Sequence, residues 1–344
     1  MRRACAKHIG QAHQVEQFVE LAGDVAQDDL RVEPPRGELE AGQGVDRPGV
    51  HHAEAAQVAD DQHVVCCVGR PAAGKLIGMS AAERRARFRT LHESGLFVMP
   101  NPWDAGSAKL LHHYGFEALA TTSFGFALTL GRFDMHVSRD ELVAHVEQLA
   151  AATPLPLNVD SERLFPDDPG GVAQTVRELA AAGAAGCSIE DYDPGNDRIE
   201  DLAVAVKRVG AAAEAAHAES VLLTARAENL LRGIDDLDDT IARLCAYRDA
   251  GAEVVYAPGL RDVEQIEAVV GAVGVPVNVL ALPGGPSVPE LAAAGVRRVS
   301  TGGLTTLAAY GVLKPAAEEL LGAGTSTYAA GAVPRDDLRA ALGT

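Results

Sequence analysis

PLPLNVDSERLF (154–165) and, one helical segment later, GAAGCSIEDYD (183–193) decide the reading of this chain. Each is an apolar run that stops at a carboxylate: Leu155–Val159 ends at Asp160, and Gly186–Ile189 ends at Glu190. Side chains alternate along a strand, so Asp160 and Glu162 can share a face, and Glu190 can join them from the adjacent strand. One such acid is readily explained as the cap of the helix that follows; three at successive strand ends are not. Hard cations such as Mg²⁺ take oxygen ligands, usually a few carboxylates with waters and substrate. The pattern therefore points to a metal-assisted enzyme.

The same cadence continues in both directions. Apolar runs occur at LFVMPN (96–101), ALATTS (118–123), PLNVD (156–160), CSIED (187–191), VLLTARAE (221–228), VVYAPG (254–259), VNVLAL (277–282) and RRVSTGG (297–303), eight in all. Between them lie Ala-rich amphipathic segments such as GVAQTVRELAAAGAAG, closed by glycine as crossover helices are. Eight β-then-α units predict an α/β fold of the (β/α)8 TIM-barrel type, with its chemistry in the loops at the C-terminal ends of the strands. An open doubly wound sheet competes, but no G-x-G-x-x-G follows the first run.

Upstream of Met79 the text changes character. Residues 1–78 mix His, Gln, Gly, Asp and Pro without period, and are expected to be a disordered or spurious extension. Met79 reads as a translation start, with Ser80 as N-cap and Glu83 completing a capping box. The catalytic barrel is expected to occupy 79–344. Gly69–Lys75 fits seven places of a phosphate-binding loop, but Leu76 stands where a Ser or Thr is needed for Mg²⁺.

A formal charge of −18 argues against nucleic acid or an anionic membrane as partner, and an anionic substrate then needs a local cation. Five cysteines without paired spacing fit a reduced, cytoplasmic setting. The start, MRRACAKHIGQAHQ, lacks the apolar core of a secretory signal, and no apolar run approaches the length of a bilayer span.

The strand ends supply a coherent set of groups. Thr121–Gly125 offers a hydroxyl and loop amides to an oxyanion, and the next loop carries Arg132 and Asp134. Arg226 and Glu228 stand two apart on one face; Asn278, Ser300 and Thr301 follow. An arginine fork can hold a carboxylate through two hydrogen bonds. Blander readings suffice elsewhere: Asp104 as a helix N-cap, Cys187 and Cys245 as core, His112 and His113 as helix residues, and the DDLDD run (235–239) as a helix start. His136, near the 131–134 loop, is a candidate proton donor.

PNPWDAGSAKLL, TTSFGFALTLGRFD, VDSE, CSIED, TARAE, GAEVVYAPG and PVNVLALPGGPSVPELAAAGVRRVST, in this order over about residues 88–320, resemble the isocitrate lyase/phosphoenolpyruvate mutase superfamily. The resemblance implies Mg²⁺ (or Mn²⁺) at the barrel mouth, binding an α-oxycarboxylate and stabilising its enolate while a C–C or P–C bond breaks or forms. Carried over, Asp160, Glu162 and Glu190 become the metal-site acids, several through water. Ser123 with the Phe124 and Gly125 amides becomes the carboxylate and oxyanion cradle. Asp134 becomes an acid near the metal waters, Arg226 the anchor for a second anionic group, and Asn278 a lesser contact. The resemblance also implies a homodimer or homotetramer with an exchanged C-terminal helix, here LTTLAAYGVLKPAAEELL. Isocitrate and methylisocitrate lyases carry a Lys-x-Cys-Gly-His loop after strand 4; here DYDPGNDRIEDL has neither cysteine nor lysine. The expectation is a Mg²⁺-dependent lyase of a small 2-oxo or 2-hydroxy dicarboxylate. The alternatives are phosphonate P–C chemistry, for which Asn196 is a misaligned counterpart, and a barrel that binds a carboxylate without turnover.

Overall fold

The computed structural model describes residues 78–343. The expected extension 1–78, Gly78 apart, and the phosphate-loop-like stretch at 69–76 lie outside the described residues. All eight apolar runs form parallel strands. They are β1 (Phe97–Met99), β2 (Leu119–Ala120), β3 (Leu157–Val159), β4 (Gly186–Glu190), β7 (Leu222–Arg226), β8 (Val254–Tyr256), β9 (Val277–Leu280) and β10 (Arg298–Ser300). Their order, β1-β10-β9-β8-β7-β4-β3-β2, runs round a barrel. The remaining seam is spanned by the Ala120 amide on the Pro100 carbonyl (3.0 Å) and by Asn101 Nδ2 on the Thr121 carbonyl (2.7 Å). This is the (β/α)8 barrel that the strand–helix cadence implies.

Two departures come from local chemistry. The second strand is only two residues long, because the helix Ser123–Thr129 starts close behind it, with the still-extended Thr122 as its N-cap accepting the Gly125 amide on its hydroxyl. After β4 the chain makes a small antiparallel hairpin, β5 (Tyr192–Asp193) with β6 (Arg198–Ile199). Other local signals form as read: Ser80 and Glu83 make a capping box, Asp104 caps Ala105–His113, and Asp236 in the DDLDD run caps Leu237–Asp249.

The core lies in the shell between strands and helices, where Leu149, Leu155, Val176, Leu179, Leu223 and Ile266 are buried. The barrel's N-terminal end is plugged by the helix Ala81–Leu91, whose Phe88 packs edge-on against Phe97 and His92. Gly186 makes room for this plug: a Cβ there would lie 2.7 Å from both Phe88 and Asn158. Above it the interior is polar, with Asn158, Ser188, Thr224, Asn278, Arg298 and Ser300 buried. Cys187 and Cys245 are unpaired, Cys187 fully buried. No described helix is long and apolar enough to cross a membrane.

Candidate active site

A pocket of about 100 Å³ opens at the C-terminal ends of the strands. Strand alternation carries Asp160, Glu190, Arg226 and Ser300 to its wall, and the 131–137 loop adds Phe133, Asp134 and Met135. Glu228 joins them because Ala227 still pairs with the Tyr256 carbonyl, so alternation persists past the end of β7.

Asp160 sits at the centre of the polar network. Its Oδ2 accepts from the Ser123 amide (3.0 Å) and hydroxyl (3.1 Å), and its Oδ1 from Arg226 Nη1 (2.7 Å). Its own amide donates to Thr121 Oγ1 (2.8 Å). Arg226 bridges three acids: Asp160, Glu190 (Nη2 to Oε2, 3.4 Å) and Glu228 (Nε to Oε1, 2.8 Å). Burial alone would weaken the guanidinium's hold on its proton, but Glu228, Glu190 and Asp160 raise its pKa well above the ordinary arginine value.

The arginines do not neutralise this cluster. Burial pushes the Glu190 carboxyl up to about 8 despite Arg226 and Arg232. Burial, with Asp160 nearby, takes Asp134 up to about 6. Glu162 is raised well above the carboxylate range, by burial and by Asp134, Glu190 and Asp160 around it. Glu190 Oε1 and Glu228 Oε2 are buried and accept no hydrogen bond. Buried acid oxygens without donors are the surroundings a hard cation completes. No three His, Cys, Asp or Glu side chains form a ready-made metal cage among the described residues. The donor set therefore fits an ion held by one or two carboxylates and several waters, which is how Mg²⁺ is usually bound.

Several expected contacts sit differently. Glu162 stays beside the pocket rather than on its wall, because β3 ends at Val159 and the chain turns through φ 48° at Glu162, which breaks the alternation with Asp160. The Gly125 amide is occupied by the capping hydroxyl of Thr122, and Gly125 does not line the pocket; Ser123 and Phe124 do. Asn278 lines it, but its amide is engaged, Nδ2 on Ser300 Oγ and Oδ1 receiving Arg298 Nε, both at 2.9 Å. Asp191 turns away to accept from Tyr247 (2.6 Å), Arg243 and the Glu228 amide, and so holds the loop from behind. His136 is exposed on the outer loop, with Nδ1 on the Asp134 carbonyl.

The expectation had not singled out Asn101, Asn158, Arg232, Tyr256 or Arg298, all of which line the pocket. Asn158 and Arg298 were within reach of the period-2 logic, two residues before Asp160 and Ser300. Arg232 lies in the 3-10 turn Leu230–Arg232, where no sequence periodicity signals its direction.

The phosphoenolpyruvate phosphomutase family model matches residues 88–321. A crystal structure from Burkholderia cenocepacia J2315, described as a candidate lyase/mutase, is 48% identical with a TM-score of 0.73, covering 77% of this chain and 97% of that one. An uncharacterized protein of Mycobacterium tuberculosis is 35% identical, over 62% of this chain and 81% of its own. The oxaloacetate decarboxylase of Paraburkholderia xenovorans is 30% identical, over 60% of this chain and 71% of its own.

Proposed function

This chain belongs to the phosphoenolpyruvate phosphomutase family, within the isocitrate lyase/phosphoenolpyruvate mutase superfamily, and on that premise we propose that it is a lyase. It cleaves a carbon–carbon bond of a small 2-oxo or 2-hydroxy dicarboxylate, using Mg²⁺ or Mn²⁺ at the barrel mouth. The observation that carries this reading is the surplus of acid: the half-buried Asp134 and Asp160 and the buried Glu190 and Glu228 line one pocket around Arg226, with two oxygens of the buried pair lacking any donor. Asp160, Glu162 and Glu190 would hold the ion, directly or through water. When bound, it supplies Lewis-acid stabilisation of the charge that develops on the substrate's oxygen as the neighbouring bond breaks.

The chain's own groups do the rest. The Ser123 hydroxyl, which here donates to Asp160 Oδ2, and the turn beginning at Phe124 would orient the substrate's carboxylate. Arg226 keeps Asp160 and Glu190 in register and presents positive charge to the pocket. Asp134, pushed up to about 6, can hold a proton for the carbon left after cleavage. Asn196, which phosphonate chemistry would enlist, has its Nδ2 on Asp193 (2.6 Å) and does not line the pocket, which favours the carbon–carbon reading.

Calorimetric titration of oxalate, a mimic of the pyruvate enolate, into the full chain with and without Mg²⁺ tests the proposal. Binding that requires Mg²⁺ and is lost in Glu190→Gln is expected. Product detection with 2-oxo and 2-hydroxy dicarboxylates and with phosphonates then separates turnover from mere binding. Failure of the folded protein to bind oxalate in either condition would overturn the metal-assisted reading. The exposed Val312, Leu313, Leu320 and Leu321 (the last 89% exposed) support a homodimer or homotetramer joined through C-terminal helices. A monomeric mass in solution would count against that assembly.

A further inference from the structure

Three arginines line the pocket, Arg226, Arg232 and Arg298, and their surroundings differ. Arg226 is held by three acids. Arg298 is fully buried and directed to Asn278, Thr224 and His92. Arg232 has no acid within ion-pair distance among the described residues, and its Nε is buried without a hydrogen-bond partner.

Arg232 is nevertheless held in place. Its guanidinium carbon lies 3.4 Å from the centroid of the Tyr192 ring. Tyr192 is fixed in turn by its hydroxyl on Asp197 Oδ1 (2.7 Å) and by the pairing of β5 with β6. The Arg232 amide donates to the Glu228 and Asn229 carbonyls, both at 3.0 Å, tying the turn to the strand end that carries Arg226 and Glu228. A guanidinium positioned by stacking, with its donors not engaged by protein acids, suits the two oxygens of a carboxylate. We infer that Arg232, stacked on Tyr192, receives the substrate's second carboxylate and so selects dicarboxylates, while Arg226 neutralises the acid cluster. This inference rests on the lyase reading above.

The test compares two probes in Mg²⁺ by calorimetry on the full chain. Oxalate mimics the reacting head alone; 3,3-difluorooxaloacetate carries a 2-oxo acid head and a second carboxylate, and has no C3 proton to lose. In Arg232→Met the difluoro acid is expected to bind ~10- to 100-fold more weakly, the loss of a charge-assisted pair. Oxalate affinity should stay within about twofold, with a smaller loss for the difluoro acid in Arg232→Lys. An unchanged thermal midpoint for Arg232→Met would show that the fold is intact. Equal weakening of both probes, or of neither, would overturn the assignment. If the wild type binds the difluoro acid through Arg232 but not oxalate, the anchor stands and the enolate reading falls. If it binds neither, both fall.

Discussion

At the floor of the barrel Arg298 is 2% exposed and has no acid partner among the described residues; at the mouth four acids gather around Arg226 and two of their oxygens have no donor there. The floor disperses its charge over neutral dipoles. Arg298 donates to Asn278 Oδ1 (2.9 Å) and Thr224 Oγ1 (3.0 Å) and faces His92 Nε2 (3.4 Å). Burial draws Arg298 down to about 9, and burial with Arg298 nearby draws His92 down to about 3, so His92 stays neutral beside it. Phe88 then seals the end. The mouth is left incomplete by the protein itself. A buried charge satisfied from within the chain belongs to the architecture; buried acids left without donors make the mouth the candidate site.

Removing Arg226, which bridges three of the mouth's acids, should produce the largest effect. Arg226→Met leaves Asp160, Glu190 and Glu228 facing one another, and is expected to cost about 3–5 kcal/mol in urea unfolding. Mg²⁺ should recover part of the loss, and a loss indifferent to Mg²⁺ would break the contrast. At the floor, Phe88→Ala should cost about 3–4 kcal/mol through the cavity it opens. Its oxalate affinity in Mg²⁺ should stay within about twofold, because Phe88 packs on Phe97 and His92 and not on the acid cluster; a collapse of binding would show the two ends to be coupled.

Acidification separates His92 at the floor from the mouth by sign. His92, and His145 in the outer helix Arg139–Ala152 where it stacks on Phe126, have folded pKa values lowered to about 3 and about 4, in both cases chiefly by burial. Their contribution is present above the unfolded value near 6.5 and is lost as pH falls toward the folded values. At pH 5 each should cost roughly 2 kcal/mol relative to pH 7. Glu190 and Asp134, raised in the fold, bind protons more readily there and act in the opposite direction. His92→Gln should therefore flatten the fall in urea midpoint between pH 7 and 5, and an unchanged slope would remove His92 from the account. The smallest expected change is the stability of Glu190→Gln at pH 7, within about 1 kcal/mol, since a carboxyl raised to about 8 is already mostly protonated. A loss as large as that of Arg226→Met would make Glu190 architectural.

All eight barrel strands lie within the apolar runs, because alternation and turn chemistry are local properties. The hairpin Tyr192–Asp193 with Arg198–Ile199 left no such trace, since two-residue strands are too short to show a period. Among the acids, Asp160 and Glu190 reach the pocket wall as strand logic requires. Glu162 does not, because the backbone leaves the strand before it. Gly125 misses the pocket for a related reason: a cap that forms only when the chain turns takes its amide.

Nearest-neighbour order along the chain was thus sufficient for the barrel, for the end at which its chemistry gathers, and for the acids at the strand termini. Folding decided which of those groups already have partners. The binding of Arg226 to three acids, the stacking of Arg232 on Tyr192 and the enclosure of Arg298 by neutral groups join residues from different strands and loops. Charge balance depends on distance and burial in three dimensions, and neither is encoded in any one segment.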